Sequence, residues 1–161
     1  MFDETPVQLI SKLRASQKGL SARLASVADD QDWQPAPEHW SFRFIAAHLA
    51  TVERECFQDR VVRIAAGEGP HFESYFNTGW DFSRFDLRDS LHGWALTRQA
   101  IIDFVRALPE EAWAQVGTHA TFGAITVLSV LQVMLNHDQE HLQHLERLLD
   151  GYRTKTRHLS Q

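Results

Sequence analysis

The chain has 161 residues, of which 43% are hydrophobic and 23% are charged. This length and apolar fraction suit one globular domain with a single core and exclude a largely disordered chain. Sixteen Lys and Arg residues against 21 Asp and Glu residues leave a net charge of -5, so no overall positive field would attract nucleic acid. Cys56 is the only cysteine, which excludes an intramolecular disulfide and a cysteine-based structural zinc site.

The sequence contains no pattern that predicts a secretory signal or a membrane-spanning helix. Residues 1–6 lack the basic start and apolar run of a secretory signal. The longest strongly apolar stretch, residues 124–135, is interrupted by polar residues and is shorter than a bilayer-spanning helix requires. We therefore expect a cytoplasmic protein that does not bind membranes.

The first predicted helix begins at a recognisable cap. Thr5, Pro6 and Gln8 combine a hydroxyl N-cap, a proline in the first turn and the glutamine of a capping box. Apolar residues then recur every three, four or seven positions as far as Val27, which is typical of a one-sided amphipathic helix. Asp and Pro residues in 29–40 break this pattern and predict a loop.

A second helix is predicted from Ser41 as N-cap to about Ala66, where glycines and a proline end the apolar repeat. The following stretch, 67–85, is irregular and rich in aromatic residues. Left in water, so many aromatic side chains would form a large apolar patch, so we expect the stretch to pack across the helices.

Two further helices complete the prediction. Asp86 predicts the N-cap of a third, which ends at the next proline, and Thr126 predicts that of a fourth, which ends at Gly151. No segment alternates with a period of two for long enough to predict a strand. The pattern predicts an all-α fold, a four-helix bundle with a long aromatic connection between its second and third helices. We assign this single domain to residues 1–151 and a polar C-terminal tail to residues 152–161.

Three of the nine histidines are predicted to face the interior of the bundle. His137 and His141 lie one turn apart on the apolar stripe of the fourth helix, which brings both rings within reach of one ion. His48 lies on the apolar stripe of the second helix. Burying three imidazoles together is costly unless a cation occupies their lone pairs, so we predict a metal site with an open coordination position.

Other interpretations of these residues remain open. Paired histidines also occur at the edge of a core, hydrogen-bonded to carboxylates or carbonyls. His144 shares the face of His137 but lies about 10.5 Å along the helix axis from it, too far to bind the same ion easily. The repeated Glu-x-x-His pairs of di-iron bundles and the His-Glu-x-x-His motif of zincins do not occur on the predicted helices. Cys56 is predicted to be a buried structural thiol rather than a nucleophile.

Glu55 is the candidate catalytic residue. It lies seven residues after His48, about 20 degrees away around an ideal helix, so it could orient a ligand or move a proton. The alternative for Glu55 is a solvated carboxylate paired with arginine.

The order and spacing of these residues resemble the DinB-like (DinB/YfiT) superfamily over nearly the whole chain. The matching residues open the second helix and surround the candidate ligands; they are Trp40, Ser41, His48, Leu49, Glu53, Asn136, His137, Asp138, His141, Gln143 and Leu145. The resemblance implies a four-helix bundle, often a homodimer, in which one histidine of the second helix and two of the last bind a metal. Those positions correspond to His48, His137 and His141.

The resemblance also implies a class of activity. Relatives include thiol S-transferases that use low-molecular-weight thiols such as bacillithiol or mycothiol, an isomerase of maleylpyruvate that uses mycothiol, and metal-dependent hydrolases. We therefore expect a homodimer that binds a divalent metal ion, zinc or nickel, and transfers a low-molecular-weight thiol to a small electrophilic substrate. A hydrolase that uses metal-bound water and a non-catalytic ligand-binding or stress-response dimer are the alternatives.

Overall fold

Four long helical segments dominate the computed structural model, which describes residues 4–159. The helices in chain order are α1 (Pro6–Ala25), α2 (Phe42–Val52), α3 (Gln58–Ala65), α4 (Leu87–Arg106), α5 (Glu110–Trp113) and α6 (Val127–Leu159). A π-helical turn, Glu53–Phe57, joins α2 to α3, so these two form one continuous helical segment. Within the described range, no helix is both long and apolar enough to cross a lipid bilayer.

The predicted caps are present at the start of all four segments. Thr5 accepts a hydrogen bond from the backbone N–H of Gln8 at 3.3 Å, and the Gln8 side chain accepts one from the Thr5 N–H at 2.8 Å. The side chains of Ser41, Asp86 and Thr126 accept hydrogen bonds from the first turns of α2, α4 and α6. Each such cap contributes about 1 kcal/mol, which explains why the helix starts were readable from the sequence.

Two apolar clusters fill the two ends of the bundle and reveal the helix directions. The first cluster contains Leu13 of α1 and Leu131 of α6, and the second contains Leu24 and Leu145 of the same helices. α1 and α6 therefore run in the same direction. The α2–α3 segment and α4 begin in the second cluster and end in the first, so they run the opposite way. α1 packs against α4 and α6, α2 against α4, and α3 against α6, which closes the bundle.

The aromatic connection, residues 66–86, joins two helices that run in the same direction. α3 ends at the first cluster and α4 begins at the second, so the connection has to run back along the bundle. Phe72 and Phe82 are buried on the way, whereas Phe76 and Trp80 remain exposed. The stretch packs across the bundle as predicted, with only part of its aromatic surface covered.

Three short strands were missed by the sequence prediction. β1 (His71–Phe72) pairs in parallel with β2 (Gly117–His119), and β2 pairs antiparallel with β3 (Gly123–Ile125). Gly123 turns the hairpin with a φ of 70°, which favours glycine. Strands of two or three residues are too short to produce a readable period of two.

The predicted end of the fourth helix is wrong. α6 continues through Gly151 to Leu159, the last residue that the structure describes. A glycine weakens a helix by about 1 kcal/mol relative to alanine but does not stop it, and the residues that follow include no proline. The division into a domain 1–151 and a tail 152–161 stays a prediction, since a helix can continue beyond the residues that a domain needs to fold.

Candidate metal centre

A layer of charged side chains separates the two apolar clusters. Arg98 of α4 is 2% exposed; it donates to Glu53 Oε2 at 2.9 Å and to Asp138 Oδ2 at 2.9 Å. It also donates to the carbonyl oxygen of Leu13 at 2.8 Å, and Ser16 donates to Asp138. This layer therefore ties together α1, the π-turn, α4 and α6.

The three predicted histidines converge beside this layer. The Nε2 atom of His48 lies 3.2 Å from that of His137 and 3.0 Å from that of His141, and the latter two are 3.1 Å apart. Among residues 4–159, this is the one group of three or more His, Cys, Asp or Glu side chains whose ligand atoms lie close enough to share an ion. The structure thus brings together all three residues that the sequence singled out.

Burial holds these imidazoles in their neutral form. It lowers the pKa of His137 to about 3, with His48 and Arg98 adding to the effect. It lowers the pKa of His141 to about 2, and the neighbouring histidines lower it further. Burial also lowers the pKa of His48, although its hydrogen bond to Asn77 acts in the opposite direction. Neutral imidazole is the form that binds metal ions.

Asn77 determines which nitrogen of His48 faces the other rings. The Asn77 Oδ1 atom lies 2.5 Å from His48 Nδ1, so Nδ1 carries the proton and donates to the amide oxygen. His48 Nε2 then has a free lone pair directed at His137 and His141. Metal-binding histidines commonly donate their second N–H to such a partner. Asn77 was missed because it comes from the irregular connection, 29 residues after His48.

The donor set fits a divalent cation. His48 Nε2 can only accept, and His137 and His141 can each offer at most one proton at Nε2 while neutral, so the three nitrogens cannot all satisfy one another. A cation would occupy all three lone pairs together. Imidazole nitrogen suits several divalent ions, among them zinc, copper, iron and nickel.

Trp40 packs against the histidines. Its ring is stacked on His141 with centroids 5.7 Å apart, and it lies 4.9 Å from the ring of His48. His144 packs on Trp40 at 5.6 Å and is not part of the triangle of nitrogens. This agrees with the prediction that His144 lies too far along the helix.

A cavity of about 410 Å³ opens beside His48 and His137. Its wall combines apolar and polar side chains, among them Val52, Phe57, Arg60, Tyr75, His119, Phe122 and Val133. β2 places His119 in this wall, where it is 4% exposed, although no sequence motif singles this residue out. A larger groove of about 570 Å³ lies between α1 and the end of α4, away from the histidines.

Glu55 does not line the cavity. It is exposed on the π-turn, and its Oε2 atom accepts a hydrogen bond from the Tyr75 hydroxyl at 2.8 Å. A π-helical turn contains more residues than an α-helical turn, so the rotation of 100 degrees per residue used to place Glu55 relative to His48 does not hold. Glu55 reaches the cavity only through Tyr75, whose pKa burial and this hydrogen bond raise to about 12.

Cys56 lines the cavity as a protonated thiol. Burial raises its pKa to about 11, so almost none of it is thiolate at neutral pH. Because the thiolate is the nucleophilic form, the structure agrees with the prediction that Cys56 is a buried structural residue.

Comparison with known proteins finds a family that matches the sequence and a solved structure with a similar fold. The family model of the DinB superfamily matches residues 12–145. No curated protein matches the sequence. Among solved structures, the fold is similar to YfiT from Bacillus subtilis, described as "a probable metal-dependent hydrolase with an unusual four-helix bundle topology", with a TM-score of 0.74. The two are 18% identical, over 97% of this chain and 92% of that one, so this likeness establishes the fold.

Proposed function

This chain belongs to the DinB superfamily, and on that premise we propose that it is a metal-dependent thiol S-transferase. It would join a low-molecular-weight thiol, such as bacillithiol or mycothiol, to a small electrophile. The observation that carries the proposal is the triangle of histidine nitrogens, 3.0–3.2 Å apart, beside a cavity of about 410 Å³. A cavity of that size suits small organic reactants.

In this proposal His48, His137 and His141 hold a divalent ion, zinc or nickel, through their Nε2 atoms. Such an ion lowers the pKa of a thiol or water and supplies a nucleophile at neutral pH. The protein contributes the neutral imidazoles, and Asn77 keeps His48 in the tautomer that leaves Nε2 free. Arg98 holds the helices that carry the ligands in place through Glu53 and Asp138.

In this proposal, side chains of the cavity wall exclude water from the reactants and hydrogen-bond to them. Val52, Phe57 and Val133 exclude water from the electrophile, which slows competing hydrolysis. The Tyr75 hydroxyl donates to Glu55, so its oxygen keeps lone pairs that can accept a hydrogen bond from a ligand. Glu55, predicted as a catalytic residue, is in this proposal a positioning residue that acts through Tyr75.

A hydrolase is the second candidate, because YfiT, which has a similar fold, is described as a probable metal-dependent hydrolase. The same three ligands serve both reactions, since only the nucleophile differs. Substrate profiling separates them: loss of electrophile that requires added thiol favours the transferase, and ester or amide cleavage without thiol favours the hydrolase.

The experiment combines metal analysis with transfer assays on protein purified without a histidine tag. We expect the wild type to contain a stoichiometric divalent ion and to couple cellular thiols to electrophiles such as monobromobimane. His137→Ala should lose both properties. The matched control is His144→Ala, which removes a half-buried histidine of the same helix outside the triangle and should keep both.

Two results would contradict the proposal. One is a substoichiometric metal content in the wild type that His137→Ala leaves unchanged. The other is an inactive wild type in which His48→Ala causes a large loss of stability, which would favour the non-catalytic ligand-binding or stress-response dimer.

A Glu55→Gln variant tests the positioning role of Glu55. A lower turnover number with an unchanged apparent affinity for thiol would support that role.

A further inference from the structure

Arg60 is a buried cation in the wall of the cavity. It lies on α3, is 9% exposed, and donates from Nη2 to the carbonyl oxygen of Glu73 at 2.9 Å. Its guanidinium carbon lies 5.5 Å from the centre of the Phe72 ring. These two contacts hold the guanidinium in one orientation, yet neither neutralises its charge.

Two acidic residues lie next to Arg60: Asp59 precedes it in sequence, and Glu73 accepts its hydrogen bond through the backbone. The carboxylates of both interact with other side chains. Asp59 pairs with Arg63 at 3.5 Å, and the Glu73 carboxylate lies 3.1 Å from His71. Within the part of the chain that the structure describes, Arg60 forms no ion pair. Buried charges are costly unless they are paired. The Arg60 guanidinium is therefore suited to an anion that comes from outside the chain.

His119 offers a second donor in the same cavity wall. Its Nδ1 atom accepts a hydrogen bond from the backbone N–H of Thr121 at 3.0 Å, so the neutral ring carries its proton on Nε2. Among residues 4–159, that Nε2–H has no hydrogen-bond partner. Arg60 and His119 also line a smaller recess together, which places them on the same side of the cavity.

The surface around these two donors includes a group of apolar side chains. Phe57, Phe122 and Val133 line both the cavity and the recess beside Arg60 and His119. Phe122 is 62% exposed, and its ring stacks on His119 with centroids 4.6 Å apart. A bare inorganic anion would leave this apolar surface wet, whereas an anion with an apolar body would cover it.

We infer that the cavity binds a small organic carboxylate. The carboxylate pairs with the fork of N–H groups on Arg60 and with His119 Nε2, a geometry that guanidinium and carboxylate share. The apolar body packs on Phe57, Phe122 and Val133, and the rest of the molecule extends toward His48 and His137. The inference names the substrate class of the proposed function, and it rests on that function only for the reaction that consumes the ligand.

Titration calorimetry with a matched pair of ligands tests the inference. The probes are 3-phenylpropionate and its neutral amide, 3-phenylpropionamide, each titrated into the protein as purified and after treatment with a chelator. We expect the carboxylate to bind at least about tenfold more tightly in both preparations, because the amide loses the charge-assisted hydrogen bonds. Agreement between the preparations assigns the preference to Arg60 rather than to a metal ion.

Variants of two neighbouring arginines provide the control. Arg60→Gln should abolish the preference for carboxylate. Arg63→Gln should leave it unchanged, since Arg63 lies on the same helix and contacts the same Phe72 ring at 5.1 Å but already pairs with Asp59 and Glu68. Equal affinities for the two probes in the wild type, or a preference that survives in Arg60→Gln, would overturn the inference.

A measurement on the wild type covers the case in which Arg60→Gln does not fold. Phenylglyoxal modifies arginine, and peptide mass spectrometry reads each site separately. 3-Phenylpropionate should slow the modification of Arg60 and not of Arg63; equal rates with and without ligand at Arg60 would overturn the inference. A carboxylate preference without any transfer activity would support the inference and contradict the proposed function. Transfer activity without a carboxylate preference would support the proposed function and contradict the inference.

Discussion

At the scale of single residues, one hydrogen bond sets the orientation of the His48 ring. Asn77 Oδ1 accepts from His48 Nδ1 and leaves Nε2 free to face the other two rings. Among the described residues, the Nδ1 atom of His141 is buried without such a partner. Asn77, at 1% exposure, is therefore the side chain that most directly orients a ligand of the candidate metal centre.

Removing that hydrogen bond should weaken metal binding. We expect Asn77→Ala to reduce the affinity for zinc by about 10-fold to 100-fold, because a metal-binding histidine then loses the partner that fixes its tautomer and ring orientation. Competition with a chromophoric chelator measures the affinity. Thr78→Ala is the control, since Thr78 is the exposed neighbour in the same connection. Equal affinities for the two variants would show that Asn77 does not orient His48.

The buried histidines also predict how stability depends on pH in the metal-free protein. Their pKa is 6.5 in the unfolded chain and about 3 for His137 in the fold, so the unfolded state binds more protons between these values. The free energy of unfolding therefore falls as the pH falls below 6.5. Each such proton changes it by about 1.4 kcal/mol per pH unit.

Urea denaturation of chelator-treated protein at about pH 7 and about pH 5 measures this dependence. Because His137→Ala lacks one of the titrating groups, its loss of stability over this range should be about 2 kcal/mol smaller than that of the wild type. A wild type and variant with the same pH dependence would contradict the burial of a neutral imidazole at position 137.

At the scale of elements, the π-turn decides which side chains point into the bundle. The N–H of Gln58 donates to the carbonyl of Glu53, five residues earlier, in place of the α-helical spacing of four. Glu53 lies in the buried charged layer, while Arg54 and Glu55 are exposed. π-turns of this kind often occur at functional sites, and this one separates His48 from Arg60, which lie in the same cavity wall.

Arg98 connects α4 to α1, the π-turn and α6. It contacts Glu53, Asp138 and Leu13, so Arg98→Met would leave two buried carboxylates without a cation. We expect this change to lower the free energy of unfolding by roughly 3–5 kcal/mol, the usual cost of breaking a buried ion pair from one side. Urea denaturation followed by circular dichroism measures it.

Arg63→Met is the matched control for Arg98→Met. Arg63 pairs with Asp59 and Glu68 on the surface, where ion pairs are screened by solvent, so the change should lower the free energy of unfolding far less than Arg98→Met does. Similar losses in the two arginine variants would mean that the buried layer contributes no more than a surface pair.

At the scale of the whole molecule, the helix directions explain the long connection. α3 and α4 run the same way, so the chain between them has to return over the full length of the bundle. This return path carries Asn77 to His48 and Tyr75 to the cavity. The homodimer and the cytoplasmic location stay predictions.

The end of α6 provides a test of where the domain stops. Tyr152 is the first residue of the predicted tail, yet its hydroxyl donates to Asp30 and its ring packs edge-on against Trp33 and Phe42, with centroids 5.4 and 5.6 Å away. The tail thus begins with a partly buried side chain that packs against the second apolar cluster.

Two truncations separate the contribution of Tyr152 to stability from that of residues 153–161. Deleting 152–161 should lower the free energy of unfolding by about 1–3 kcal/mol, because the Trp33 and Phe42 rings lose the packing of Tyr152. Deleting 153–161, which are exposed as far as the structure describes them, should change it little. Thermal and urea denaturation measure both. A 152–161 deletion as stable as the wild type would confirm the domain boundary predicted from the sequence.

The sequence alone determined the four helices, their caps and the three histidines, because these depend on local rules: hydroxyl and carboxylate caps, the 3.6-residue period and the one-turn spacing of His137 and His141. Only the tertiary structure decided which helices run parallel, where the π-turn lies, and that Asn77 and Arg60 meet the histidines at one cavity. Those features depend on contacts between segments far apart in the chain, which no local pattern of side chains encodes. Glu55, placed close to His48 by the geometry of an ideal helix, lies outside the cavity because the π-turn between them changes that geometry.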